Sequence, residues 1–436
     1  MNGYGEPARH SGLDTAPAHS YFSLVTLILL IIIFTKYFLS REIFAVVILG
    51  AALLAVVPVI LHSRWNVFKF LWPLLFLLPL GSVNAFRNDF KDVIRDVVFA
   101  LSPFALYALG YWCAIHKQNV WVLIIKVIVI ASVGLAGLHL YELFKNPEIL
   151  QGSVNEIREM VSFKTVYLVI LSVCILIFSK PVAGIDFFSG MLRNFLFLPL
   201  LLLSAVMSLS RTGLIIGILL ALSLLGVLSR LTLRAVIVLF FVSAGIISFL
   251  LLTPRDGTGT FLGKLAGSIE ELKVSNYVDD RDINHNWRGF ETYQVLKDYQ
   301  SSTLAQKWVG QGFGKLVDLE LYIDLGGEEM RYIPVFHNGY AYVLIKAGIL
   351  GLLFYILFYY RLIRFANLFA YSSDFHQRFL GRLLLGSALS LSVAMFVVGG
   401  MAQMQGSEYV LLLGCLVHAL EQSQNRSAAE AVAEAP

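Results

Sequence analysis

Long apolar runs separated by short polar connections make up most of the chain, and one polar stretch from about Pro254 to Val335 stands apart from them. A run of about 17 to 25 apolar residues is the length of helix that crosses a hydrocarbon core of about 30 Å. Such runs fall at 21–39, 43–61, 67–83, 97–116, 119–140, 161–179, 195–210, 213–229, 234–252, 338–360, 379–399 and 406–420. The pattern predicts an all-α polytopic membrane protein of about twelve transmembrane helices. It divides into an N-terminal tail over 1–20, a membrane domain over 21–252, a large loop over 253–336, a second membrane segment over 337–420 and a tail over 421–436.

The loop itself carries helical periodicity, so it is expected to be mainly helical. Over 261–274, Phe261, Leu262, Leu265, Ile269 and Leu272 share one face, and Trp287, Phe290, Tyr293, Leu296 and Tyr299 recur every third residue. The second of these helices is expected to begin near Asn284 to Asn286, residue types suited to an N-cap. Arg288 then sits in its first turn, where the helix dipole welcomes an anion.

Composition agrees with a membrane class: 58% of residues are hydrophobic and 14% charged, against about 25% charged in a soluble domain. The first twenty residues lack the short apolar core of a cleavable signal, so the N-terminus is expected in the cytoplasm. Cys113, Cys174 and Cys415 all fall in proposed spans and suggest neither a disulfide framework nor a metal site. The Ala- and Glu-rich tail after Glu421 reads as disordered, and a net charge of +4 gives no case for nucleic acid.

With the N-terminus inside, the cytoplasmic connections carry Arg64, Lys69, Lys117, Lys180, Arg193, Arg230, Arg234, Arg361, Arg364, Arg378 and Arg382, as the positive-inside rule asks. Parity then places Arg211, after the seventh span, and the large loop, after the ninth, on one face. In a bacterium that face is the periplasm. No internal repeat supports the paired halves of many transporters.

Ser208-Leu209-Ser210-Arg211-Thr212-Gly213 breaks an apolar run, and an arginine at membrane depth is costly without a partner. It reads either as a snorkelling turn residue or as a phosphate ligand, since its planar fork matches phosphate oxygens. His337 opens the tenth span and reads either as an interfacial histidine or as a general base; Asn338 beside it could orient a sugar hydroxyl or the imidazole. Gly310-Gln311-Gly312-Phe313-Gly314-Lys315 lacks the Walker spacing, so nucleotide binding is rejected, and tight turns that let the backbone approach a ligand or the membrane surface are expected. Asp279, Asp280 and Asp282 form a short acidic run read as a solvated loop rather than a metal site. Arg87, Lys91 and Arg95, interleaved with Asp89, Asp92 and Asp96, read as a solvated, partly self-paired face, with lipid phosphate contact as the alternative. Lys126 and Lys346 lie within spans and could line a cavity.

The Ser210-Arg211-Thr212-Gly213 break, the long late loop with Gly310-x-Gly312-x-Gly314, then His337-Asn338-x-Tyr340 and Gly348-x-x-Gly351, together resemble the O-antigen ligase family, which also embraces O-antigen polymerases and protein O-oligosaccharyltransferases. The resemblance implies a GT-C-like membrane glycosyltransferase in the bacterial inner membrane with its site facing the periplasm. It implies transfer of a glycan from undecaprenyl pyrophosphate to a hydroxyl of lipid A-core in lipopolysaccharide biosynthesis, inverting, with no metal, cofactor or nucleotide. It assigns Arg211 and Arg288 to the pyrophosphate and His337 to the acceptor hydroxyl as base, and Asn338 and Tyr340 match its pattern; Ser210, Thr212, Trp287, Asn338 and Tyr340 are the expected substrate-binding side chains. Another repeat unit or a protein as acceptor, and a non-catalytic carrier of the lipid-linked glycan, are the alternatives.

Overall fold

The computed structural model describes residues 19–40, 43–53, 66–115, 120–146, 166–208, 210–229, 274–277, 282–283, 286–324, 329–404 and 406–433. The expected helix over 261–274, the span over 234–252 and the N-terminal tail fall almost entirely outside these residues. In chain order the helices before the loop are α1 (His19–Phe38), α2 (Ile43–Leu53), α3 (Phe68–Leu75), α4 (Leu77–Ser82), α5 (Phe90–Ile115), α6 (Val120–Lys145), α7 (Val166–Ala183), α8 (Leu192–Met207) and α9 (Arg211–Leu224). The loop contributes α10 (Trp287–Ser301), α11 (Leu304–Val309), β1 (Val317–Asp324) and β2 (Glu329–Ile333), and the chain closes with α12 (Gly339–Phe369), α13 (Phe375–Val398) and α14 (Ser407–Ala433).

Among the described residues, six helices are long and apolar enough to cross a membrane: 68–87, α5, α6, α7, α12 and α13. α1, α2, α8 and α9 carry shorter apolar segments. α14 runs on through the stretch read as a disordered tail, since alanine and glutamate are strong helix formers. The three cysteines are buried and unpaired with one another.

α12 and α13 form an antiparallel hairpin, and α9 lies antiparallel to α13. The Arg382 guanidinium of α13 donates to the Leu224 carbonyl at the end of α9 at 3.0 Å, and Ser223 donates to the Arg382 carbonyl at 2.6 Å. Gly213 sets how closely α9 approaches α7, because a Cβ there would lie 2.7 Å from Ile170 and 2.9 Å from Val166.

Among the described residues of the loop, a two-stranded hairpin that the hydrophobic pattern did not predict stands beside α10 and α11. Val317, Leu319 and Ile323 alternate with polar residues and are buried, which is the period of a strand with one face covered. The strands pair from Val317 with Ile333 to Asp324 with Glu329, with the register shifting between Asp318 and Ile323, where Glu320 takes a φ of 66°. The Arg331 guanidinium grips Asp318 through two bonds of 2.8 Å and holds its carboxyl below the usual range. That contribution is present above the ordinary carboxylate range and is lost as pH falls through the lowered value.

The glycine turn docks on α12. Gly348 takes φ 68° and ψ −169° and kinks that helix. The carbonyls of Ile345 and Lys346, just before the kink, accept from the backbone N–H groups of Gln311 at 2.8 Å and Gly312 at 3.1 Å. A polar backbone broken inside an apolar bundle has to find such partners. A Cβ at Gly348 would lie 2.3 Å from the Trp308 carbonyl oxygen, and that backbone region is almost closed to other residues at about 1 to 3 kcal/mol. Gly348→Ala is therefore expected to lower stability by at least that amount in thermal unfolding. Gly137→Ala in α6, where a Cβ meets nothing within 4 Å, serves as the neutral or stabilising control.

The turn is pinned from below by a buried cluster. Asp96, read from sequence as part of a solvated face, is fully buried. It accepts from Lys346 Nζ at 2.6 Å, Tyr342 Oη at 2.8 Å and the Gly314 N–H at 2.7 Å. Lys346, expected from its position to line a cavity, does line one, with Phe99, Phe313 and Tyr342, and it also donates to the Lys315 carbonyl. The correction has one cause: Asp96 ends the polar start of α5 and turns inward, where only a paired and fully hydrogen-bonded charge is tolerated.

Candidate active site

His337 is fixed by its neighbours on both sides. β2 ends at Ile333, Pro334 follows, and Phe336 is buried, its carbonyl accepting from the Gln403 side chain. On the other side Asn338 caps α12, its side-chain oxygen accepting from the N–H groups of Tyr340 and Ala341 at 3.1 Å each. Between these anchors, one oxygen of Glu291 accepts from the His337 backbone N–H at 3.1 Å and lies 2.9 Å from its Nδ1. The carboxylate is 4% exposed and the imidazole 44%. A buried carboxylate at Nδ1 holds the proton there, so Nε2 keeps its lone pair on the open side of the ring. That is the arrangement of an oriented general base.

Glu291 was absent from the sequence reading, and α10 shows why. The stripe Trp287, Phe290, Tyr293, Leu296, Tyr299 advances 300° per step and so spirals around the helix. The buried face is instead Phe290, Glu291, Gln294 and Val295. A carboxylate on that face needs a partner, and its place between Phe290 and Val295 was the available signal.

α10 starts at Trp287, with Asn286 at the N-cap position but making no side-chain cap bond. The first N–H groups of a helix have no partner within it, and Arg288 stands among them, half-buried. Arg288 precedes Glu291 by three positions, which puts the two side chains on neighbouring parts of one helix face. Trp287 is half-buried and packs on Phe290, ring centroids 5.9 Å apart.

Arg211 begins α9. Ser210 supplies the N-cap, its hydroxyl accepting from the Gly213 N–H at 3.1 Å, and Thr212 is buried. α9 runs antiparallel to α13 from Arg382, and Ile216 faces the same small cavity as Ser390 and Ala394, so Arg211 lies toward the Val398 end. His337 lies toward the same end, because a Cβ on Gly339 would meet Met395 at 2.6 Å and the Gly399 carbonyl oxygen at 2.7 Å. Tyr340 joins them there, its hydroxyl 2.7 Å from Ser392 Oγ on α13. Arg211 and His337 thus lie toward one end of the helix bundle, and Arg288 stands on α10 three positions before Glu291, the residue that contacts His337.

Asn338 and Ser210 spend their side-chain oxygens on helix caps, and Tyr340 ties α12 to α13. Asp279 and Asp280 lie outside the described residues, and among the described residues no three potential metal-ligating side chains gather. Residues 196–356 match the family model described as O-Antigen ligase. The match runs from α8 to the middle of α12 and contains Arg211, Arg288, Glu291 and His337. No curated protein matches the chain.

Proposed function

We propose that this multi-pass membrane protein, a member of the O-antigen ligase family, transfers a glycan from undecaprenyl pyrophosphate to a hydroxyl of lipid A-core at the periplasmic face of the inner membrane. About twelve crossings and a GT-C-like architecture belong to the same reading. The observation that carries it is the His337 imidazole held by the buried Glu291 carboxylate, with Arg288 a turn earlier on the same helix and Arg211 at the same end of the bundle.

In the proposed step Nε2 of His337 takes the proton of the acceptor hydroxyl. The oxygen attacks the anomeric carbon, the bond from that carbon to the phosphate oxygen breaks, and pyrophosphate departs with the electron pair. Attack opposite the leaving group inverts the anomeric centre. Arg211 and Arg288 stabilise the charge that develops on the departing oxygen, where a partly dry site makes fixed cations count for more than in water.

Arg211→Ala and Arg288→Ala are each expected to lower transfer by roughly 10² to 10³, or about 2.7 to 4 kcal/mol, by analogy with loss of one oxyanion donor. Lysine at either position restores only part, since ammonium lacks the planar fork. The assay uses purified protein in liposomes with a lipid-linked glycan and, in turn, lipid A-core, a second lipid-linked repeat and a pilin-like protein, each with chelator present. Product on lipid A-core alone supports the ligase. Product on either other acceptor instead reassigns the acceptor, and vectorial movement with no new glycosidic bond removes the enzyme.

A further inference from the structure

α11 and the chain around it carry an apolar surface that the reaction does not use. Leu304 and Trp308, four positions apart on α11, are 75% and 50% exposed, and Phe86 and Phe90, beside the start of α5, are 78% and 76% exposed. The two groups belong to one level of the molecule. Asn84 donates to the Gly310 carbonyl at 2.7 Å, and Asn88 donates to the carbonyls of Gln311 at 3.2 Å and Phe313 at 2.8 Å.

That level can be located from α5. Its first residues, 90–96, hold Lys91, Asp92, Arg95 and Asp96, whereas the stretch from 97 to 115 is apolar. At about 1.5 Å per residue the apolar part measures roughly 28 Å, which matches a hydrocarbon core of about 30 Å. Asp96 therefore marks where α5 leaves the hydrocarbon, and the Gly314 N–H and Lys346 bound to it lie at that boundary.

The backbone there is prepared for a place with little water. The N–H groups of Gly310, Gln311, Gly312, Phe313, Gly314 and Lys315 donate in turn to Gln306, Ile345, Lys346 and Gly81 carbonyls, the Asp96 carboxylate and the Gly312 carbonyl. At the start of α11 a capping box between Thr303 and Gln306 closes on itself, and at its end Tyr299 Oη donates to the Lys307 carbonyl at 2.8 Å. Irregular backbone at membrane depth persists where the protein meets its hydrogen bonds. Exposed Arg87 and Lys91 and half-buried Lys307 stand among the apolar side chains, the mixture of aromatic and basic residues that suits a bilayer interface.

We infer that α11, with Phe86 and Phe90, is an interfacial foot that rests its Leu304 and Trp308 face in the lipid of the leaflet on the His337 side, anchoring the large loop to the bilayer. The occupant is lipid: the patch continues directly from the membrane boundary set by Asp96, and its basic residues are those that meet headgroup phosphates.

A spin label on Leu304→Cys, and separately on Phe86→Cys, tests this in liposomes containing anionic lipid, with the full chain. The three native cysteines are buried, and both replaced side chains are exposed, so folding is preserved. Collision with oxygen is expected to rise and collision with a water-soluble nickel complex to fall, relative to a label on Tyr322→Cys, exposed on β1. Free access of the nickel complex at 304 and 86 overturns the inference in favour of a solvated face. Protection from both reagents overturns it in favour of a protein partner or a second copy.

Discussion

Alanine at position 337 is expected to lower glycan transfer by roughly 10² to 10⁴, the usual contribution of a positioned acid or base, with donor binding retained. The Nε2 of His337 is the group left free by the Glu291 contact, and no other side chain in the described site is held in that way. Glu291→Gln separates orientation from chemistry. A glutamine amide can present its NH₂ to Nδ1 and so favour the other tautomer, which puts the proton on the nitrogen that must accept one. A fall in kcat with little change in KM is the signature sought. Full transfer by the His337→Ala protein, inserted and binding donor, takes the base out of the scheme.

The second large effect concerns stability. Asp96→Asn leaves the Lys346 ammonium buried without its counter-charge, and breaking such a pair costs about 3 to 5 kcal/mol. Lys346→Met should also destabilise, by less, since it leaves the carboxylate with Tyr342, the Gly314 N–H and the Arg95 guanidinium, whose Nε lies 3.7 Å away. The double replacement is expected to cost much less than the sum, because the two losses share one interaction. Transfer should fall as well. The glycine turn that Asp96 holds also receives α10, through Gln311 Nε2 at 2.8 Å from the Asp298 carboxylate, and α10 carries Arg288 and Glu291. Additive costs in thermal unfolding of the three variants would show that the charges do not act as a pair.

Several parts of this site could be read directly from residues. Arg211 interrupts an apolar run, and such a break is visible wherever the run is long. The start of α10 just after Asn286 and the start of α12 just after His337 follow from the onset of helical hydrophobic periodicity, although Asn286 makes no side-chain cap bond. Glu291, Asp96 and Lys346 could not be read that way, because each is a charged residue whose meaning depends on a partner 46 or 250 positions distant. In isolation a charge next to other charges is most simply solvated. The hairpin was legible in the alternation of Val317, Leu319 and Ile323 but was overshadowed by the helical periodicity of its neighbours.

The sequence by itself determined that the chain is a membrane protein with one large polar loop, where its cationic and imidazole groups stand, and which family it resembles. These follow from solvent: twenty apolar residues have few places to go, and a polar break among them has to be accommodated. Tertiary structure alone decided which carboxylate contacts His337, that the turn at Gly310 to Gly312 meets a kink in α12, and that Asp96 is buried against Gly314. The reason is that an ion pair or a shared backbone hydrogen bond is set by distance in space, and the hydrophobic pattern fixes which face of a helix is covered but not what covers it.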